Sequence, residues 1–224
     1  MSKLIFGVGF NSRGKHKSKV DGKITAAYES WRGMFKRCYD PKYQCKKPTY
    51  IGCTVSKQWY DFQDFADWFY SQPCSDKGYE LDKDLLFLNN KIYNPDTCCF
   101  VPQELNKLLT NCNKVKGEYP QGVCFQKTRN KYLSRLRVNG KSEHLGSFDC
   151  PDEAYQVYKI AKERHVKDKA LEWKNRIASE VFDALMKWEL APEPHITVEE
   201  EPTDRFAMGT PNVDHAGENK EDNK

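Results

Sequence analysis

Residues 131–148, KYLSRLRVNGKSEHLGSF, constrain this chain more than any other stretch. Two alternating runs meet at Asn139-Gly140, and Asn-Gly suits a two-residue hairpin turn because both central residues of that turn need a positive φ. The alternation puts Tyr132, Ser134, Leu136 and Val138 on one face and Leu133, Arg135 and Arg137 on the other. GVCFQ (122–126) supplies a third strand. DCPDEAYQVYKIAKERHVKDKALEW then reads as a helix with an Asp cap, a Pro at its start and Ala154, Val157, Tyr158 and Ala161 in helical spacing. The pattern continues through Ile177, Val181, Leu185 and Trp188, as one long helix or a broken one. The second half is therefore expected to be a three-stranded antiparallel sheet packed on a long helix.

The first half has a different rhythm. Tyr28, Trp31, Phe35 and Tyr39 fall at three- and four-residue spacing until Asp40-Pro41 ends the helix. YIGCTVSKQW (50–59) is short, partly alternating and strand-like, and DFQDFADWFYSQP puts Phe62, Phe65, Trp68 and Phe69 on one helical face between an Asp start and a Pro stop. YELDKDLL, the loop FLNNKIYNP and DTCCFVPQELNKLLTN follow as strand, loop, strand and helix, with Pro102 opening the helix. That order is a ββα unit, and the fold class is α+β. The expected segments are a flexible basic arm (1–24, with Arg13, Lys15, Lys17, Lys19 and Lys23), a helix-rich domain with the ββα unit (25–112), a Gly- and Pro-containing linker (113–120), the sheet–helix domain (121–190) and an acidic disordered tail (191–224).

Charge is unevenly spread. The net charge is +4 over 224 residues, but the stretch 191–224 holds three basic and nine acidic residues, so the first 190 carry a net +10. A body of that sign suits a polyanion. No apolar run approaches the roughly 18 residues a bilayer span needs, and the start lacks the apolar block of a signal peptide, so no membrane partner and a cytoplasmic location are expected. Nine cysteines, none in a C-x-x-C pair, read as reduced, partly buried thiols, with a zinc site built from scattered cysteines as the alternative. Between residues 114 and 143, eight basic residues stand against two acidic ones. Arginines pointing out from a twisted sheet can pair with guanine edges in the major groove of double-stranded DNA, and lysines can neutralise phosphates.

GVCFQKTRNKYLSRLRVNGKSEHLGSFDCPDEAYQVYKIAK resembles the integrase-type DNA-binding domain of plant ethylene-response factors and of phage homing-endonuclease-like proteins. Gly122-Val123, Gly140-Lys141, Leu145-Gly146, Phe148, Glu153-Ala154 and Tyr158 carry the resemblance over about 45 residues, and Tyr132 stands where that family usually has Trp. It implies DNA contacts from the strands, at Arg129, Arg135, Arg137, Lys141 and His144, and the basic residues Lys127 and Lys131 beside them are further candidate contacts. The first half is similar to phage HNH-type endonuclease domains through Trp31, Met34, Arg37-Cys38-Tyr39, Trp59, Phe62, Phe65, Leu81-Asp82, Tyr93, Pro95 and Cys98. Together the two resemblances imply a phage-encoded protein acting in the host cytoplasm.

In a ββα-metal nuclease, a histidine on the first strand activates water, a loop Asn fixes the hairpin, and the helix supplies a His or Asn near a divalent ion. This chain has His16, His144, His165, His195 and His215, so none falls between 17 and 143. Asp82 and Asp84, expected on one face of a strand, are the candidate catalytic residues and ligands for Mg²⁺ or Mn²⁺, with Asn106 on the helix and Asn89 or Asn90 in the loop. His16 on the mobile arm is a further candidate to reach into the site. Three functions are thereby set apart: a DNA-binding protein derived from a homing endonuclease, with cleavage weak or lost; an active metal-dependent endonuclease using Asp82 and Asp84; and a phage protein that binds a host defence or regulatory protein.

Overall fold

The computed structural model describes residues 4–72, 78–109 and 118–190. After the short hairpin β1 (Lys19–Val20) and β2 (Lys23–Ile24), helix α1 (Ala26–Tyr39) starts where the Thr25 hydroxyl accepts from the Tyr28 N–H. Asp40 closes it and caps the next helix in turn, accepting from the Lys42 N–H at 3.0 Å, so α2 (Pro41–Lys46) follows without a loop. Within the strand-like 50–59 only β3 (Thr54–Val55) is extended, because turns of 3-10 helix flank it. Helix α3 (Phe62–Ser71) is capped by Asp61.

α1 and α3 face each other through their aromatic stripes. Trp31, Met34, Phe35, Phe62, Phe65 and Phe69 are buried together, and the Trp31 indole N–H donates to the Trp59 carbonyl at 2.8 Å. The arm expected to be flexible is instead built into this core over its described part. Ile5, Phe6 and Val8 pack on it, Phe10 exchanges backbone hydrogen bonds with Tyr60 and Phe62, and the Gln63 side chain binds Asn11 and the backbone of His16. Backbone and amide hydrogen bonds hold a segment whose composition offered little to bury.

The ββα unit is β4 (Glu80–Asp82) antiparallel to β6 (Cys99–Val101), followed by α4 (Gln103–Leu109). Its connecting loop contributes β5 (Ile92–Tyr93), which runs parallel to β3 and ties the unit to the aromatic core. The second sheet orders β7 (Val123–Gln126), β8 (Lys131–Val138) and β9 (Lys141–Phe148) as an antiparallel meander. Asn139 and Gly140 take φ of 50° and 80°, the mirror-image turn that Asn-Gly favours.

Helix α5 (Pro151–Trp173) packs on this sheet, and α6 (Ser179–Met186) follows after a break. The expected Asp cap is displaced: Cys150 occupies the cap position with no side-chain bond, and the Asp149 carboxylate holds Lys131 instead. Most of the expected linker (113–120) lies outside the described residues, and the stretches on either side of it share one of the three buried clusters. Val101 and Leu105 from the ββα unit are buried with Val166 and Ala170 of α5, Ile177 in the break, and Val181 and Leu185 of α6. Upstream on α5, Tyr155 and Tyr158 pack against Leu136, Val123, Val138 and Leu145 of the sheet.

At Gly122 (φ 83°) an added Cβ would lie 2.1 Å from the Tyr158 ring, while at Gly140 (φ 80°) nothing stands within 4 Å. Gly140→Ala should therefore cost about 1 kcal/mol, the backbone strain alone, and Gly122→Ala at least about 2–3 kcal/mol more through overlap with a buried ring. Urea denaturation of both variants measures the difference.

Candidate functional site

Two regions carry the residues singled out from the sequence. The first is a cleft of about 650 Å³ between α1 and the ββα unit. α1 lines it with Glu29, Ser30, Gly33 and Arg37, spaced so that one side of the helix faces the opening. Opposite stand Glu80, Asp82, Lys83 and Asp84, with Tyr50, Tyr93 and Asn106 completing the wall.

Asp82 and Asp84 do not share a strand face. β4 ends at Asp82, whose Oδ1 accepts the backbone N–H groups of Asp84 and Leu85, each at 2.7 Å, and the chain folds into a turn over its carboxylate. Burial raises the pKa of Asp82, opposed by those two N–H groups. Asp84 is exposed, and its Oδ1 meets the Lys83 ammonium at 2.5 Å. Among the described residues no three His, Cys, Asp or Glu side chains converge as metal ligands, so an ion held by Asp82 and Asp84 would draw its other oxygens from water or phosphate.

Lys83, which the sequence reading passed over, is buried: its ammonium donates to Asp84 Oδ1 and to the Asn90 carbonyl at 2.7 Å and lies over the Tyr93 ring. One signal pointed to it. In LDKD, Lys83 has the parity of the buried Leu81, two residues earlier. Asn90 fixes the loop, its side chain donating to the carbonyls of Lys83 and Ile92 and to the Thr97 hydroxyl, and accepting from the Ile92 N–H. Asn89 sits beside it with a φ of 62°. Asn106 donates to Glu80 Oε2 at 2.6 Å, and Gln103 to Glu80 Oε1 at 3.1 Å, so the amide that was expected near a metal orients a carboxylate.

Arg37 donates through Nε to the Tyr93 hydroxyl at 2.9 Å and stacks near the Tyr93 and Tyr50 rings. Among the described residues no histidine lines the cleft. His16 is held elsewhere, its Nε2 2.8 Å from Asp67 Oδ1 on α3 and its ring stacked on Tyr70. His195 and His215 lie outside the described residues. Cys38 and Cys98 are buried thiols whose pKa values burial pushes up to about 12, which keeps them protonated and unreactive.

The second region is the outward face of the β7–β8–β9 sheet. Ser134 pairs with Gly146 and Arg135 with His144, so Leu145 is an extra residue in β9, a bulge that turns it into the cluster on α5. Beyond the bulge, Arg135, Arg137, Ser142 and His144 share one exposed face. Glu143 pairs with the buried Leu136 and so lies on the helix side, where its charge acts on His165. The arginine face thus has no acid from either strand. Leu133, expected outward with the arginines, is buried at 5% exposure, in register with Cys124 and Ser147.

The other expected DNA contacts are distributed differently. Lys127 and Arg129 are exposed in the β7–β8 turn, and Lys141 starts β9 at the hairpin. Lys131 is engaged by Asp149. Arg137 Nε donates to the Gly140 carbonyl at 3.2 Å, which steadies the hairpin tip.

The Asp82 turn gives a test that separates structure from ionisation. Asp82→Asn keeps an oxygen acceptor for both N–H groups, whereas Asp82→Ala leaves them unpaired, at a cost of about 1–2 kcal/mol. A carboxyl whose folded pKa is raised stabilises most in its protonated form, and that contribution fades as pH rises through the folded value. Asp82→Asn should therefore gain stability relative to the parent protein as pH is raised from 4 to 7; urea midpoints across that range check it. No family model, curated protein or solved structure matches this chain.

Proposed function

We propose that this protein binds double-stranded DNA through the outward face of its second sheet, and that its nuclease-like cleft cleaves weakly or not at all. One observation carries the reading: Arg135, Arg137 and His144 stand exposed on one sheet face while Glu143 is turned to the opposite side. A face that collects cations and sheds its acid fits a duplex, with arginine forks reaching base edges and Lys127, Arg129 and Lys141 meeting phosphates around it. The resemblance of residues 122–162 to the integrase-type domain supports the same use of the strands. The cleft supplies carboxylates in place of a histidine, and the two aspartates hold a backbone turn and a buried ammonium. That leaves it without an evident water-activating base at neutral pH.

A second reading, a metal-dependent endonuclease, draws on the cleft itself, which Glu80, Asp82 and Asp84 line opposite Arg37. A divalent ion on Asp82 and Asp84 would activate water and polarise the scissile phosphate, with Arg37 as a fixed cation beside it.

Arg135→Ala combined with Arg137→Ala should weaken duplex binding at least about tenfold and flatten any site preference. A salt-controlled titration in which the double variant binds like the parent would defeat the binding proposal. Supercoiled plasmid incubated with purified protein and Mg²⁺ or Mn²⁺ should stay intact. Nicking that disappears in both Asp82→Ala and Asp84→Ala would establish the second reading instead.

A further inference from the structure

The loop between β4 and β5 runs Leu85-Leu86-Phe87-Leu88, and the four side chains divide. Leu85 and Leu86 pack into the cluster made by α4, α5 and α6, whereas Phe87 and Leu88 point out with 54% and 82% of their surface in water. Single exposed apolar residues are ordinary, but this pair does not stand alone. Ile92 (46% exposed) opens β5, and Ile51 (60% exposed) leads into β3, whose Thr54 pairs with Ile92.

The tip is also firmly built. The Asn90 N–H closes a turn onto the Phe87 carbonyl at 3.1 Å, Asn89 takes a left-handed φ, and the Asn90 side chain makes the four bonds described above. The buried Lys83 ammonium holds the Asn90 carbonyl from beneath. A chain that fixes two large apolar side chains in water is preorganised for a partner.

Charge around the tip selects that partner. Lys91 follows the turn and its ammonium reaches the Thr49 carbonyl, which ties the tip to a segment bearing exposed Lys46 and Lys47. Exposed Lys57 comes just after β3. Of the acids close in sequence, Asp84 is already paired with Lys83, and Asp96 lies past β5. An apolar tip followed directly by Lys91 and tied through it to a lysine-bearing segment matches a surface that is anionic outside and apolar between its layers, which is stacked duplex DNA.

We propose that Phe87 and Leu88 form a wedge that inserts between base pairs and unstacks the duplex beside the cleft. The proposal rests on the DNA-binding reading above. It adds a second contact, on the first half of the chain, that deforms DNA where the sheet only reads it.

The test measures unwinding, which needs no knowledge of the target sequence. Relaxed closed-circular plasmid is saturated with full-length protein in EDTA, treated with a metal-independent type IB topoisomerase, deproteinised, and its linking number compared with plasmid alone. The parent protein should leave a linking-number deficit that grows with occupancy. Phe87→Ser with Leu88→Ser should still shift the plasmid on a gel, with affinity lower by about three- to tenfold, yet leave no deficit. Phe87→Leu with Leu88→Met, apolar and equally exposed, should restore it. Binding by the parent without any deficit, or an equal deficit from the serine variant, overturns the wedge and leaves the sheet reading standing. A parent protein that does not shift the plasmid at all overturns both.

Discussion

Helix α5 is the constraint on which the rest of the structure depends. Its first turns lay Tyr155 and Tyr158 on the second sheet, and further along the same rod Val166 and Ala170 close the core beneath β6 and α4. At 1.5 Å per residue its 23 residues span about 34 Å, enough to reach both. Burying a side chain such as Val166 contributes about 1.5–3 kcal/mol, so the ββα unit and the second sheet both lose packing without the helix, while the aromatic core of α1 and α3 takes nothing from it. The arginine face and the cleft are thereby carried on one scaffold.

The cleft shows how buried charge organises a loop. Lys83 sits where an apolar side chain would be expected, and its ammonium is satisfied by Asp84, the Asn90 carbonyl and the Tyr93 ring. Arg37 is matched to Tyr93 from the helix side. Tyr93 thus stands between two cations, and burial raises its own pKa against the lowering pull of Arg37. Residues that looked catalytic in the sequence, Asp82 and Asn106, spend hydrogen bonds on a turn and on Glu80. The groups lining the cleft are largely occupied with one another and with backbone groups.

Much of the fold was legible because its signals are local. Asn139-Gly140 dictates its own turn, Thr25 and Asp61 cap the helices they precede, and the aromatic spacing in 28–39 and 62–69 places one stripe against another. The ββα order could be read from turn residues and Pro102 alone. What failed was each inference that needed a partner distant in sequence. Residues 4–24 looked free because their ties are backbone bonds to Tyr60 and Phe62 and to the Gln63 amide, which composition does not record. Asp149 looked like a cap until Lys131 was found to hold it.

The sequence by itself determined the α+β class, the hairpin and the outward placement of Arg135 and Arg137, since period-two alternation and turn chemistry act within a few residues. Only the tertiary structure decided that α5 joins the two halves in a shared core, that Lys83 is buried, that Glu143 leaves the arginine face, and that Phe87 and Leu88 stand in water on a hydrogen-bonded turn. The reason is physical: burial and pairing are settled between segments far apart in the chain, and a residue's own neighbours do not say which of its faces another element will cover.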